Sequence, residues 1–197
     1  MYASNLKSSA EVNNNFFYWL FPDTSKEDNP LIIYMNGGPG STSMNALFME
    51  NGPLRVYQAD PSDLDSFTIT YEPEDSWVAI GDLLFVDHPV GTGWSYGERS
   101  PASLPEVADE FLTFMLNFYE EHPTYREREL VLTGESFAGK YLSFTAKAIL
   151  DYNLDAEVLI TLKNLILSNP LVDVPTERMF QHELGYTLGL YDDSQSA

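Results

Sequence analysis

The stretch "LVLTGESFAGKYLSFTAKAIL", residues 130–150, decides the fold. Residues 130–133 are apolar or β-branched and read as strand, 137–150 read as helix, and Ser136 stands between the two. A serine at a sharp strand-to-helix turn is the arrangement of a nucleophile elbow. Such a turn needs small neighbours, because strand and helix pack closely around a strained backbone; Gly134 and Ala138 supply them. The pattern G-x-S-x-G has glycine where Ala138 stands, and alanine is the smallest departure from it. On this stretch alone the other reading is a serine N-cap after an ordinary strand.

Working outward, residues 16–21, 31–35 and 83–87 read as strands, with 67–71 a weaker candidate. Ser103 and Glu106 form an S-x-x-E capping box, after which Val107, Phe111, Phe114, Met115 and Phe118 recur at helical spacing. The spacing predicts a helix over 104–121, ending before Pro123, and another strand over 162–168. Strand, helix, strand, helix, strand implies parallel strands with crossover helices. The fold class expected is α/β: an α/β-hydrolase-type, mostly parallel sheet with flanking helices, incomplete at its C-terminal side. No internal repeat or low-complexity segment interrupts the 197 residues, so one domain over 1–197 is expected.

Composition narrows the function classes. Thirty acidic against ten basic residues give a formal charge of −20, which repels phosphate backbones and anionic lipid, so no nucleic-acid partner is expected. No apolar run approaches the roughly 20 residues that cross a bilayer, so membrane insertion is not expected either. Residues 1–11 lack the apolar core of a signal peptide. The chain has no cysteine and no Asn-x-Ser/Thr acceptor for glycosylation, which removes disulfides, thiolate metal sites and cysteine nucleophiles. Its three histidines lie far apart without ligand spacing, so no metal and no organic cofactor are expected.

A second glycine-rich stretch, "LIIYMNGGPGSTS", also follows a strand. It can bring backbone N–H groups toward the serine, as an oxyanion hole requires. Gly37, Gly38 and Gly40 could instead cradle phosphate, but no Gly-Lys-Ser/Thr ending follows; a plain tight turn remains the bland alternative.

"FFYWLFPDTS", "YMNGGPGSTS", "FMENGPLRV", "LLFVDHPVGTGWSYG", "GESFAGKY" and "LILSNPLVDV", in this order and spacing, resemble the serine carboxypeptidases over essentially the whole chain. The resemblance implies that Ser136 attacks the last peptide bond of a substrate and forms an acyl-enzyme. It implies that the N–H groups of Gly38 and Phe137 stabilise the oxyanion. It assigns recognition of the substrate's free carboxylate to Asn36, the Gly37 backbone, Glu50 and Glu135. Crowded acids resist ionising and can stay protonated as donors, so binding that weakens as pH rises, and an acidic optimum, are expected; solvated acids are the bland reading of Glu50 and Glu135. Glutamate immediately before the serine favours peptide hydrolysis over acyl transfer, where related enzymes tend to carry aspartate. Tyr34 stands where the family usually has tryptophan, and Ser41 replaces a usual cysteine.

A serine nucleophile needs a histidine base and an acid that orients it, in the order Ser, Asp or Glu, His for this fold. Ser136, Asp173 and His182 satisfy that order on paper. However, "TERMFQHELGYTLGLYDD" resembles a helical segment that the family places soon after the "NPLVD" strand end, with the triad acid and histidine much farther downstream. His182 therefore reads as a helix-surface or packing residue, His88 as structural and His122 as a helix-end residue. The expectation is an N-terminal portion of a carboxypeptidase, truncated before two members of its triad and inactive or weakly active alone. Its partners would be peptides or proteins with a free C-terminus and a C-terminal chain of the same precursor. A peptide-binding pseudoenzyme, or an esterase or acyltransferase on the same scaffold, are the alternative functions. The resemblance implies a vacuolar, lysosomal or secreted location.

Overall fold

A computed structural model describes residues 1–23, 25, 28–63 and 65–195. Six strands form one sheet: β1 (Tyr2–Lys7), β2 (Asn15–Phe21), β3 (Leu31–Met35), β6 (Asp82–Val86), β7 (Leu130–Glu135) and β8 (Leu162–Ser168). Their spatial order is β1-β2-β6-β3-β7-β8. The last four are mutually parallel, while β1 pairs antiparallel with β2 and β2 with β6. A separate antiparallel ribbon joins β4 (Leu54–Gln58) to β5 (Phe67–Tyr71).

Strand β3 and residues 83–86 of β6 are buried, continuous hydrophobic runs because both faces of the sheet are covered there. Alternate β3 side chains go to opposite clusters. Ile33 and Met35 pack with Phe111, Phe114 and Phe118 of α2 (Leu104–Glu121) and with Tyr141, Leu142 and Ile149 of α3 (Ala138–Tyr152). Ile32 and Tyr34 pack on the other face with Met44 and Leu47 of α1 (Met44–Met49). All five β3 residues are buried. At the amino end of the sheet, buried Asp82 accepts hydrogen bonds from Tyr125 Oη at 2.6 Å and Arg128 Nη1 at 2.7 Å, locking that rim.

The strand and helix expectations over 31–35, 104–121 and 162–168 match β3, α2 and β8. The run 83–87 is shifted: β6 starts at Asp82, whose side chain is tied at the rim, and Asp87 already belongs to the following loop. Phe67–Tyr71 forms a strand, but in the ribbon rather than the main sheet. The capping box is also altered. Ser103 Oγ accepts from the Glu106 N–H at 3.4 Å, whereas Glu106 Oε2 reaches back to the Ala102 N–H at 2.7 Å, one residue before the cap. The segment "TERMFQHELGYTLGLYDD" carries α4 (Val174–Met179) and α5 (Gln181–Thr187).

Candidate active site

The functional candidates gather at the carboxyl ends of β3 and β7, which are adjacent and parallel with Met35 opposite Gly134. Open α/β sheets place their sites at this rim. Ser136 follows β7 directly and has φ +55°, a left-handed conformation that a non-glycine residue adopts only at a cost. Three bonds hold it there. Its N–H donates to the Ser168 carbonyl at 3.1 Å, and its own carbonyl accepts from the Gly139 N–H at 3.0 Å and the Leu171 N–H at 2.7 Å. The Ser136 side chain is left exposed at the turn. Strand β7 and helix α3 fit this closely because a Cβ at Gly134 would run into the Met35 carbonyl oxygen and lie 2.9 Å from Ala138 Cβ.

The glycine loop runs against that turn. A Cβ at Gly37 would meet Phe137 N at 2.5 Å, the Glu135 carbonyl oxygen at 2.8 Å and Ser136 Cβ at 2.9 Å, so only glycine permits the approach. Gly38 has φ +110°. Among the described residues, neither the Gly38 nor the Phe137 N–H donates a hydrogen bond to the protein. The structure thus puts two unused backbone donors on the two segments that converge at Ser136.

Beside them, Asn36 is buried and Nδ2 donates to Glu135 Oε1 at 2.9 Å and Glu50 Oε1 at 3.2 Å. Asn36 Oδ1 in turn accepts from the Ala46 N–H at 3.2 Å, which fixes the amide's orientation. The two acids assigned from sequence, 85 positions apart, are therefore bridged by the third assigned residue. Glu50 is exposed and Glu135 half-buried, so both can face a ligand.

Two contributors were not foreseen. Tyr34 Oη donates to Glu50 Oε2 at 3.0 Å. Burial and then the Glu50 carboxylate hold this phenol well above its usual range, so Tyr34 remains a donor. Asp87 is fully buried and staples the glycine loop to the end of β6. Its Oδ1 accepts from Thr42 Oγ1 at 2.6 Å and the Ser43 N–H at 2.9 Å, and its Oδ2 from the Trp94 N–H at 2.9 Å. An acid directly after the apolar run 83–86 and before a glycine-rich loop, "FVDHPVGTG", was the available signal.

The three histidines lie elsewhere. His88 is buried among Phe16, Phe111 and Tyr141, with ring centroids 4.9 to 5.3 Å away, and burial lowers it to about 4. His122 caps α2 and its Nε2 is 2.8 Å from Tyr18 Oη. His182 is exposed on α5, and Asp173 accepts from Thr176 Oγ1 at the start of α4. No hydrogen bond links Ser136, Asp173 and His182 among the described residues, and no three metal-binding side chains cluster there.

A strained serine on a strand-to-helix turn, facing a glycine loop at the carboxyl rim of a parallel sheet, defines an α/β-hydrolase. The chain belongs to the serine carboxypeptidase family, whose model matches residues 1–197. It is 39% identical over 177 residues to the pheromone-processing carboxypeptidase KEX1 of Paracoccidioides lutzii, covering 86% of this chain and 26% of that one. It is 34% identical over 195 residues to the venom serine carboxypeptidase of Apis mellifera, covering 97% and 40%. The crystal structure of Kex1(delta)p, a prohormone-processing carboxypeptidase from Saccharomyces cerevisiae, superposes with a TM-score of 0.85 at 30% identity, covering 98% of this chain and 43% of that one. A thermostable carboxyl esterase from Bacillus coagulans, 15% identical with a TM-score of 0.51, shares the fold. The chain thus spans about a quarter to two-fifths of the carboxypeptidase relatives' length.

Proposed function

We propose that this chain carries the nucleophile and the carboxylate-recognition corner of a carboxypeptidase that releases C-terminal amino acids from peptides and proteins. Ser136 Oγ attacks the last peptide carbonyl, and its proton passes to a histidine contributed by polypeptide outside residues 1–197. The Gly38 and Phe137 N–H groups receive the oxyanion. Collapse of the tetrahedral species breaks the C–N bond, the histidine returns the proton to the leaving amine, and water then hydrolyses the Ser136 ester. Asn36, the Gly37 backbone, Glu50 and Glu135 hold the leaving residue's carboxylate. An anion beside two acids needs a proton among them, so affinity falls as pH rises and the working range is acidic.

The observation that carries this reading is Asn36 bridging Glu50 and Glu135 next to a serine at φ +55°. Peptides with free and with amidated C-termini test it in the full-length protein. Stepwise release of amino acids from the free form alone is expected; equal turnover of both, or ester cleavage without peptide cleavage, would move the assignment to another hydrolase.

The same reading names a partner surface. Strand β8 ends the sheet with Leu165 and Ile166 40% and 46% exposed, and Met179, Phe180, Leu184 and Leu188 of the α4–α5 region are more exposed still. We assign this face to a C-terminal chain or segment of the same precursor, which would also bring the triad acid and histidine. A vacuolar, lysosomal or extracellular compartment suits the acidic range. Among the described residues no helix is long and apolar enough to cross a membrane.

A further inference from the structure

Helix α2 carries two apolar stripes. One, through Phe111, Phe114 and Phe118, is fully buried in the core beneath it. The other runs through Ala108, Leu112, Leu116 and Tyr119, on the side of α3. At 3.6 residues per turn the two together span roughly 200° of the helix surface, where packing on one core needs little more than about 100°. The second stripe floors an open groove between the helices, made of two cavities of about 430 and 630 Å³ that share Tyr152. From Pro105 to Pro123 the groove follows α2 for about 27 Å. Leu112 and Leu116 are half-buried and Phe144 of α3 is 38% exposed, so apolar atoms along the floor are reachable from solvent.

The rim of the groove selects the partner. Asp109 and Asp151 line one half and Glu120 and Glu127 the other, against two bases, Lys147 and Arg126. Both bases are engaged. Lys147 pairs with Asp151 along α3. The Arg126 guanidinium lies 5.0 Å from the centre of the Tyr119 ring, and its Nη2 donates to Tyr152 Oη at 3.0 Å and to the Val158 carbonyl. Asp109, Glu120 and Glu127 are exposed, and none of them is in an ion pair among the described residues. Asp109 and Glu120 stand eleven positions apart, three turns of α2, so they project on the same side of the groove about 16 Å from each other. A helix laid in the groove meets them with two residues of its own at that spacing. A second copy of this chain is a poor occupant, because a formal charge of −20 repels its like.

We propose that the groove between α2 and α3 docks an amphipathic basic helix of another protein. Its apolar face lies on Leu112, Leu116 and Phe144, and lysine or arginine side chains at its margin meet Asp109 and Glu120. Recognition of this kind uses apolar anchors at i, i+4, i+7 and i+11 for affinity, and charge pairs for register and rate of encounter. The docking face is built by α2 and α3 alone and does not depend on the chemistry at Ser136.

The test is fluorescence anisotropy with the full-length protein and a labelled, C-terminally amidated helical peptide of about 18 residues, with leucines at i, i+4, i+7 and i+11 and lysines flanking them. Two control peptides carry glutamate in place of lysine, or the same composition with the leucines scattered around the helix. The striped lysine peptide should bind with a Kd of about 10 μM, and each control at least about tenfold more weakly. Asp109→Lys combined with Glu120→Lys should weaken binding about tenfold or more. Glu74→Lys combined with Asp75→Lys makes an equal charge change at exposed acids that do not line the groove, and should weaken it less than about twofold. Phe144→Ala should weaken it about fivefold. Equal affinity for the three peptides, or equal weakening in the two double variants, would overturn the proposal. So would silence at about 200 μM protein, the result if the rest of the precursor already fills the groove. Dimerisation in light scattering that Phe144→Ala abolishes would also overturn it, making a second copy the occupant.

Discussion

Strands β3 and β8 are both apolar runs in one parallel sheet, yet they sit in opposite environments. Every residue of β3 is buried and its carboxyl end is bonded on all sides, to α1 through Asn36 Oδ1 and to the β6 loop through Ser43 and Asp87. Every residue of β8 is at least partly exposed; Leu162 and Leu167 pack against the core, but Leu165 and Ile166 are left open to solvent. Strand β1, the other sheet edge, is equally exposed but built of "YASNLK", largely small and polar. Edge strands are normally blunted by such residues. The difference separates a corner that is preformed for chemistry from an apolar edge suited to being covered, and it divides nucleophile from activation.

Substitutions can break or sharpen that contrast. Ser136→Ala should reduce peptide hydrolysis by on the order of 10⁶-fold, with binding of peptide C-termini retained; kcat and Kd measured separately decide this. Gly37→Ala drives a Cβ into Phe137 N, so kcat should fall by about 10² to 10³-fold through the displaced oxyanion donor, with a smaller effect on KM. His88 packs on Tyr141, whose ring in turn meets Phe137, and is held at about 4 against an ordinary 6.5. The unfolded chain therefore binds the proton first as pH falls, so stability is full above about 6.5 and declines toward 4. That loss amounts to at most about 3 kcal/mol. His88→Gln should flatten this branch of a Tm-against-pH curve.

Asn36→Asp keeps the acceptor for the Ala46 N–H but replaces the donor between two acids with a third acid. It should lower kcat/KM on free C-termini by about 30-fold and erode discrimination against amidated peptides. The smallest intrinsic effect belongs to the open edge. Ile166→Lys should change the stability of this chain by less than about 1 kcal/mol, since the side chain is already exposed. It should nevertheless prevent association with the C-terminal part of the precursor, detected by co-purification. Loss of folding with association intact would place Ile166 in a core and dissolve the contrast.

Legibility in the sequence follows locality. Strands β3 and β8 and helix α2 announce themselves because apolar period, cap and terminating proline lie within each segment. Strand β1 does not, because "YASNLK" has no apolar alternation and owes its conformation to pairing with β2, Tyr2 opposite Leu20. Helix α1 is six residues long and β4 gains its partner across a loop, so neither has a sufficient local signal. At the site, Ser136 and the glycine loop were readable because sharp turns need small residues. Glu50 and Glu135 were chosen by resemblance alone; their bridge through Asn36 is a tertiary fact. The Tyr34 hydroxyl and the Asp87 staple escaped because each depends on segments that meet only when the sheet closes.

The central claim is that Ser136 is a preformed nucleophile whose activation comes from outside this chain's own histidines. Fluorophosphonate labelling of the full-length protein, with the modified residue mapped by mass spectrometry, tests it most directly. The account predicts stoichiometric labelling at Ser136 that persists when His88, His122 and His182 are each replaced by glutamine in a folded protein. Labelling at another serine, or loss of Ser136 labelling in folded His182→Gln, would contradict it.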